Sequence, residues 1–255
     1  MRWLVFLAAA LAGGETAYEE SIRQWRAERD GKLRADGGWL SVAGLHWLKE
    51  GANRIRLGDE TVTVEFHNGR ATYQGRAMRP DTEGGPDPVV AGALSMHVIR
   101  RGARHGIRVI DNHSAGRRDF AGTRWFAVSE PYRVEARWTP YHPPRTLTVP
   151  NVLGDTTREV CPGFASFRLQ GRELRLEPIG SQGGTLFFIF RDATSGKSTY
   201  GGGRFLYTAA PRDGKVILDF NQAESPPCAY TPFATCPLPP RGNRLPVAIE
   251  AGEKN

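Results

Sequence analysis

The chain has 255 residues, 34 lysines and arginines against 27 acidic residues, and a formal charge of +7. That length suffices for one sizeable domain, and no Ser/Gly-rich linker, charge block or repeat divides it. The arginines are spread along the chain without a recognition-helix or zinc-finger pattern, so nucleic acid is not expected as a partner. No apolar run approaches the roughly 20 residues that cross a bilayer, so an integral membrane protein is not expected either.

Met1 to Ala12 reads MRWLVFLAAALA, a short positive start, an apolar run and small residues at Ala10 and Ala12. That is the layout of a secretory signal, and it predicts a signal peptide over residues 1–12 and a single β-rich domain over 13–255. The expected location is then the periplasm or the extracellular space. Export also changes how the three cysteines are read, because disulfides persist in an oxidising compartment. Cys228 and Cys236 enclose a short loop and form the candidate disulfide, leaving Cys161 as a small buried hydrophobe. A thiolate metal site at the same pair would need ligands from elsewhere, since no CxxC or HxxxH spacing occurs, and no metal is assigned.

Residues 15–36 carry the best helical pattern, with Tyr18, Ile22, Trp25, Arg29 and Leu33 spaced three or four apart, and Gly37-Gly38 ending it. The aromatic-rich stretch from Trp39 to Lys49 follows. Beyond it, period-two alternation predicts strands at 61–66, 94–99, 106–111, 132–138, 164–169, 173–177, 185–190 and 216–220. Asn68-Gly69 is a two-residue hairpin signal. Many short strands with glycine-rich turns and one N-terminal amphipathic helix predict a mainly β chain, an antiparallel β-sandwich, roll or partly closed barrel.

Several familiar signatures break on inspection. Gly196-Lys197-Ser198 lacks the upstream glycine of a phosphate-binding loop, because Arg191 stands there, and no G-x-S-x-G nucleophile elbow occurs. No motif names a cofactor. Three regions keep special residues. Gly201, Gly202 and Gly203 lie between Tyr200 and Arg204, a pattern compatible with core rings lying across the glycines or with a ligand approaching the backbone. Arg204 suits a carboxylate or phosphate through its planar fork. Asp219 and Asn221 end a strand, where they either cap the following turn or face a binding site, and an Asp219–Arg204 ion pair would join the two regions. In RRGARHGIRVIDNH, Arg108 lies on the opposite strand face from His105, Ile107, Val109 and Asp111. Asp111 and His113 there are a metal carboxylate and imidazole, a base with its orienter, or an ordinary turn with a solvated histidine.

At GKSTYGGGRFLY, LDFNQAESPPCAYTPFATCPLPP and NRLPVAIEAGEK the chain resembles the family catalogued as domain of unknown function 1684, and the likeness extends upstream through GGWLSVAGLHWLKEGANRI and RRGARHGIRVIDN. Ser225 departs from the asparagine usual in that pattern. The resemblance implies that Arg108, Asp111, Tyr200, Arg204, Asp219, Asn221 and Asn243 belong to family motif blocks, and it implies no activity. The expected function is a pocket for a small polar or anionic ligand, lined by Arg108, Asp111, Tyr200, Gly202, Arg204, Asp219 and Asn221. If the protein also catalyses, the expected reaction is a hydrolysis with Asp111 or Asp219 as the general acid or base and Arg204 as the anion stabiliser. The alternative is a cell-envelope structural module.

Overall fold

The computed structural model describes residues 16–182 and 184–255, so the expected signal peptide over 1–12 lies outside the described residues. The first element is helix α1 (Ala17–Arg34). Thr16 caps it reciprocally with Glu19, acidic Glu19 and Glu20 sit in its first turn, and Lys32 and Arg34 in its last, all matched to the helix dipole. The residues at helical spacing do form its packed face. Ile22 and Leu33 are buried, the Trp25 ring meets Trp125 edge-on at 5.5 Å, and Tyr18 and Arg29 reach polar partners in the C-terminal half.

A single 3-10 turn at Trp39–Ser41 leads into β1 (Val42–Trp47). Four strands then form a meander, β2 (Gly51–Leu57), β3 (Glu60–His67), β4 (Arg70–Tyr73) and β5 (Arg76–Met78), paired in that order. The β3–β4 turn is Asn68-Gly69, with φ of 50° and 79°, the positive pair that a tight primed hairpin turn requires. β6 (Val89–Ala91), β7 (Leu94–Arg101) and β8 (Arg104–Ile110) join β1 in a sheet of order β1-β8-β7-β6. One face of this sheet, with Met96, Val98, Ile107 and Val109, packs on Ile55, Val64 and Met78 of the meander in one core.

After the short helix α2 (Ala115–Arg118) and β9 (Arg124–Trp125) comes a long hairpin, β10 (Arg133–Pro150) and β11 (Thr156–Leu169). β12 (Arg172–Leu176) extends it on one side. β13 (Ser181–Gln182), β14 (Thr185–Phe190) and β15 (Arg204–Ala209) make a further sheet. β16 (Lys215–Asp219) pairs with β10, and β17 (Glu253–Lys254) pairs with β9. Every named strand pairing is antiparallel and the sheets remain open, so the architecture is the expected mainly β sandwich or roll with one N-terminal helix and no closed barrel.

Strand alternation on β14 and β15 decides where the site lies. Leu186, Phe188, Phe190 and Leu206 point into a large core with the β10–β12 hairpin and the C-terminal residues Leu245 to Ala251. Ile189 and Phe205 point the other way, into a smaller cluster with Val149, Ile179, Ala234 and Cys236, against which Trp39, Phe187 and Cys228 pack. That smaller cluster borders a cleft.

Candidate functional site

The residues singled out in the sequence do not converge on one pocket. Arg204 is fully buried and its carboxylate partner is Asp192, at 3.3 Å. Its guanidinium also donates to the carbonyl oxygens of Ile249, at 2.9 Å, and Ala251. The Asp192 carboxylate accepts from the Ile249 backbone N–H and from Thr194. This pair ties the C-terminal tail to β15, so the expected Asp219–Arg204 ion pair is corrected to Asp192–Arg204. Asp219 is elsewhere. It accepts from the Tyr18 hydroxyl at 2.9 Å and from the Asn221 backbone N–H at 3.1 Å, capping the turn that follows β16. Asn221 is fully buried and bonds both the N–H and the C=O of Ser129. Burial, reinforced by the Asp219 carboxylate, pushes the Tyr18 phenol well above its ordinary pKa.

The glycine run is a turn before β15. A Cβ on Gly202 would stand 2.4 Å from the Tyr200 ring, and Gly203 has φ of +100° with Phe190 O 2.6 Å from where its Cβ would be. The space beside the glycines is therefore filled by the protein's own atoms. The Tyr200 hydroxyl donates to the Cys228 carbonyl, and the residue lines a separate shallow recess with Tyr230 and Lys254. Asp111 accepts from the backbone N–H of His113 at 2.8 Å, an ordinary Asx turn, and His113 is exposed. Asn243 bonds the C=O of Glu177 and of Ile189 and receives the Glu177 N–H, a structural clasp.

Arg108 is different. On β8 it pairs with His97 of β7 and Leu45 of β1, on the face turned away from the meander core. It is 7% exposed, its Cζ stands 4.9 Å from the Trp39 ring centroid, and its Nε and Nη2 are buried without a hydrogen-bond partner among the described residues. Burial lowers its pKa to about 10, and Arg101 pushes the same way. Opposite it, burial holds the His97 imidazole down at about 4, with Arg108 adding to that effect, so His97 adds no second positive charge beside Arg108 near neutral pH. A buried cation left without a paired anion is among the costlier arrangements a fold can retain.

Trp39, on which Arg108 stacks, lines a cleft of about 330 Å³ together with Arg101 and Cys236, while Arg108 itself is not among the lining residues. Phe187, Phe205, Tyr207, Arg29 of α1, Glu224, Pro227, Thr235 and Pro237 complete the lining of the cleft. The 227–238 loop is fixed there by backbone bonds Val152 N to Cys236 O and Leu238 N to Pro150 O, and by Thr231 donating to Val42 O. The other cations are already compensated. Arg101 donates to Asp81 at 2.7 Å and to Thr235 at 2.9 Å, and Arg29 lies 3.1 Å from Glu224 and 3.6 Å from Glu253. Burial raises the Glu224 carboxyl to about 7, against the pull of Arg29, with Glu253 adding to the rise. The described residues hold no cluster of three or more His, Cys, Asp or Glu side chains able to bind a metal.

All three cysteines are free thiols here. Cys228 and Cys236 are neighbours: the Cys228 N–H donates to the Cys236 Sγ at 3.2 Å, and the two thiols interact directly. Cys161 is buried and donates to the Gly163 carbonyl at 3.0 Å.

The family model described as "Protein of unknown function (DUF1684)" matches residues 118–254. The chain belongs to the DUF1684 family. The match takes in β9 to β17 and leaves α1, β1 and β8 outside, so this DUF1684 protein builds its cleft from both matched and unmatched segments. An uncharacterized protein of Haloarcula marismortui, solved by NMR in solution, is 37% identical over 55% of this chain and 79% of its own, with a TM-score of 0.46. No curated protein matches the chain significantly.

Of the cleft's lining residues, Cys236 stands out in the sequence only as a disulfide candidate, and Glu224, Trp39, Phe187 and Tyr207 are not singled out there as site residues. Trp39 and Arg29 do stand out by pattern, yet both read equally as core or helix face. Glu224 and Tyr207 carry no local signal at all.

Proposed function

We propose that the protein binds a small anionic molecule in the cleft beside Arg108. The observation that carries this is the Arg108 guanidinium, more than nine-tenths buried, stacked on Trp39, with two nitrogens lacking an acceptor among the described residues. An anion in the cleft would supply the missing charge in a low-dielectric site, where such pairing is strong. Concave, mostly apolar walls with a few polar groups are the ordinary make-up of a ligand site. The internal pairing of Arg204, Asp219 and Asn221 supports a structural role for that set, leaving Arg108 as the anion-seeking group. The Met1–Ala12 pattern supports an exported protein, and sequencing the N-terminus of the mature chain tests that, a retained Met1 counting against it.

Calorimetric titration with inorganic phosphate and with acetate tests the binding. Wild-type protein is expected to bind at least one of them, and Arg108→Leu to lose that binding while staying folded. Equal titrations for the two proteins would overturn the assignment.

A further inference from the structure

Trp25, Arg29 and Lys32 of α1 are spaced four and three apart and therefore share one stripe of the helix. Across from that stripe the segment leaving β16 pairs with β15. The Phe205 N–H donates to the Glu224 carbonyl at 2.8 Å, and the Glu224 N–H to the Phe205 carbonyl at 2.9 Å. Between them lies a hollow of about 280 Å³, lined by Trp25, Arg29, Lys32, Tyr207, Gln222 and Glu224, near the small end of ligand-site sizes. Tyr207 stacks on Phe187 of β14 with 4.6 Å between ring centroids and 7° between planes, and Phe187 does not line this hollow. The hollow thus meets the part of Tyr207 that Phe187 leaves uncovered, and Tyr207 is 46% exposed.

The polar groups around the hollow are open. The Trp25 indole N–H, the Lys32 ammonium, the Gln222 amide and the Tyr207 hydroxyl make no hydrogen bond with the described residues, and among them the Glu224 carboxylate has only its ion pair with Arg29, at 3.1 Å. That set mixes donors, acceptors and groups that are both. With Glu224 ionised the charges offset one another, because Arg29 and Lys32 both act on Glu224 and Arg29 also lies 3.6 Å from Glu253. An anion would meet the Glu224 carboxylate, and a cation would meet Arg29 and Lys32. The chemistry that fits is neutral and rich in hydroxyls, each of which donates and accepts at once.

We infer that this hollow is a subsite for a neutral saccharide, a single sugar ring whose C–H face lies on Tyr207 and Trp25 and whose hydroxyls bond Glu224, Gln222 and Lys32. Much of a sugar's surface is C–H, so it needs a flat apolar ring as well as convergent polar groups, and the hollow holds both. The inference does not rest on the anion-binding reading above, because Arg108 is not among the residues that line the hollow.

NMR titration at about pH 8, above the Glu224 titration, tests it with the methyl glycosides of glucose, galactose, mannose, xylose and N-acetylglucosamine, and with inorganic phosphate and tetramethylammonium as charged comparators. The signal followed is the Trp25 indole N–H, assigned by comparison with Trp25→Phe. Gln222→Ala and Tyr207→Ala remove side chains that hold no hydrogen bond among the described residues, and thermal unfolding checks that both variants are folded. At least one glycoside is expected to shift Trp25 saturably. Gln222→Ala is expected to weaken that binding about fivefold, the loss of one neutral hydrogen bond, and Tyr207→Ala to weaken it by about the same factor through the lost ring. No saturable shift with any of the glycosides overturns the subsite, as does binding that both variants leave unchanged. Phosphate moving Trp25 at lower concentration than every glycoside, with the effect lost in Lys32→Ala, would make the hollow an anion site and overturn the saccharide. Tetramethylammonium doing so, with the effect lost in Glu224→Gln, would overturn it in favour of a cation.

Discussion

The guanidinium carbon of Arg108 stands 4.9 Å from the centroid of Trp39, and that stacking is the closest thing to a partner the cation has among the described residues. A cation on an indole face recovers part of its lost hydration, but a ring carries no charge to neutralise it. Retaining such a group costs stability. Arg108→Leu is accordingly predicted to leave the melting temperature unchanged or higher, by up to about 4 kcal/mol of stability, in phosphate-free buffer. A fall in melting temperature of the size expected for a lost structural contact would contradict this.

Arg204 predicts the opposite behaviour. Its ion pair with Asp192 is fully buried, and both groups are bonded to the tail that carries Ile249 and Ala251. Removing one partner leaves an uncompensated buried charge, so Arg204→Ala or Asp192→Ala is predicted to destabilise the protein by about 3–5 kcal/mol. Denaturant unfolding of the two single variants and the double variant checks it. The double variant should cost clearly less than the sum, and additive losses would contradict a direct pair.

Glu224 sets a pH dependence. Its folded pKa is raised from 4.5 to about 7, first by burial, with Arg29 opposing, Glu253 adding and Lys32 opposing. Between those values the folded state holds a proton that the unfolded state has released. The stability linked to this group is fully present below about pH 4.5 and is lost as pH rises through about 7. Melting temperatures of wild type and Glu224→Gln are predicted to diverge across that window, with the variant showing the shallower decline. Parallel curves would contradict the shift.

Cys228 and Cys236 are predicted to pair when the protein is exposed to air or to a disulfide oxidant, because the two thiols already touch within a loop fixed at both ends. Closing so short a loop contributes about 2–3 kcal/mol. Cys161, whose thiol burial raises to about 11, should stay reduced. Peptide mapping without reductant checks both statements, and a linkage involving Cys161 would contradict them.

Much of the architecture is legible in the sequence because it depends on local spacing. The helix face from Tyr18 to Leu33, the Asn68-Gly69 hairpin and the alternating strands each follow from residues a few positions apart. The expected strand at 132–138 proved to be the start of an 18-residue strand, because the alternation is interrupted at Pro140 to Pro144 where the β10–β11 register shifts. The site was less legible. Arg204 and Asp219 looked functional because polar residues among strand apolars are unusual, yet each is satisfied within the fold, Arg204 by Asp192 and the C-terminal tail, and Asp219 by the distant Tyr18 together with its neighbour Asn221. Arg108 shows the same local pattern without the partners. Only the fold distinguishes the two cases. The cleft itself joins Arg29, Trp39, Arg101, Tyr207, Glu224 and Cys236, which no spacing rule brings together.

The most direct measurement is the Nε–H resonance of Arg108, assigned by comparison with Arg108→Leu and followed by NMR during titration with inorganic phosphate and with acetate. A saturable shift of that resonance, with Trp39 indole changes tracking the same curve, is the predicted result. An Arg108 resonance that stays put while signals elsewhere in the protein saturate would place the ligand at another site and contradict the assignment.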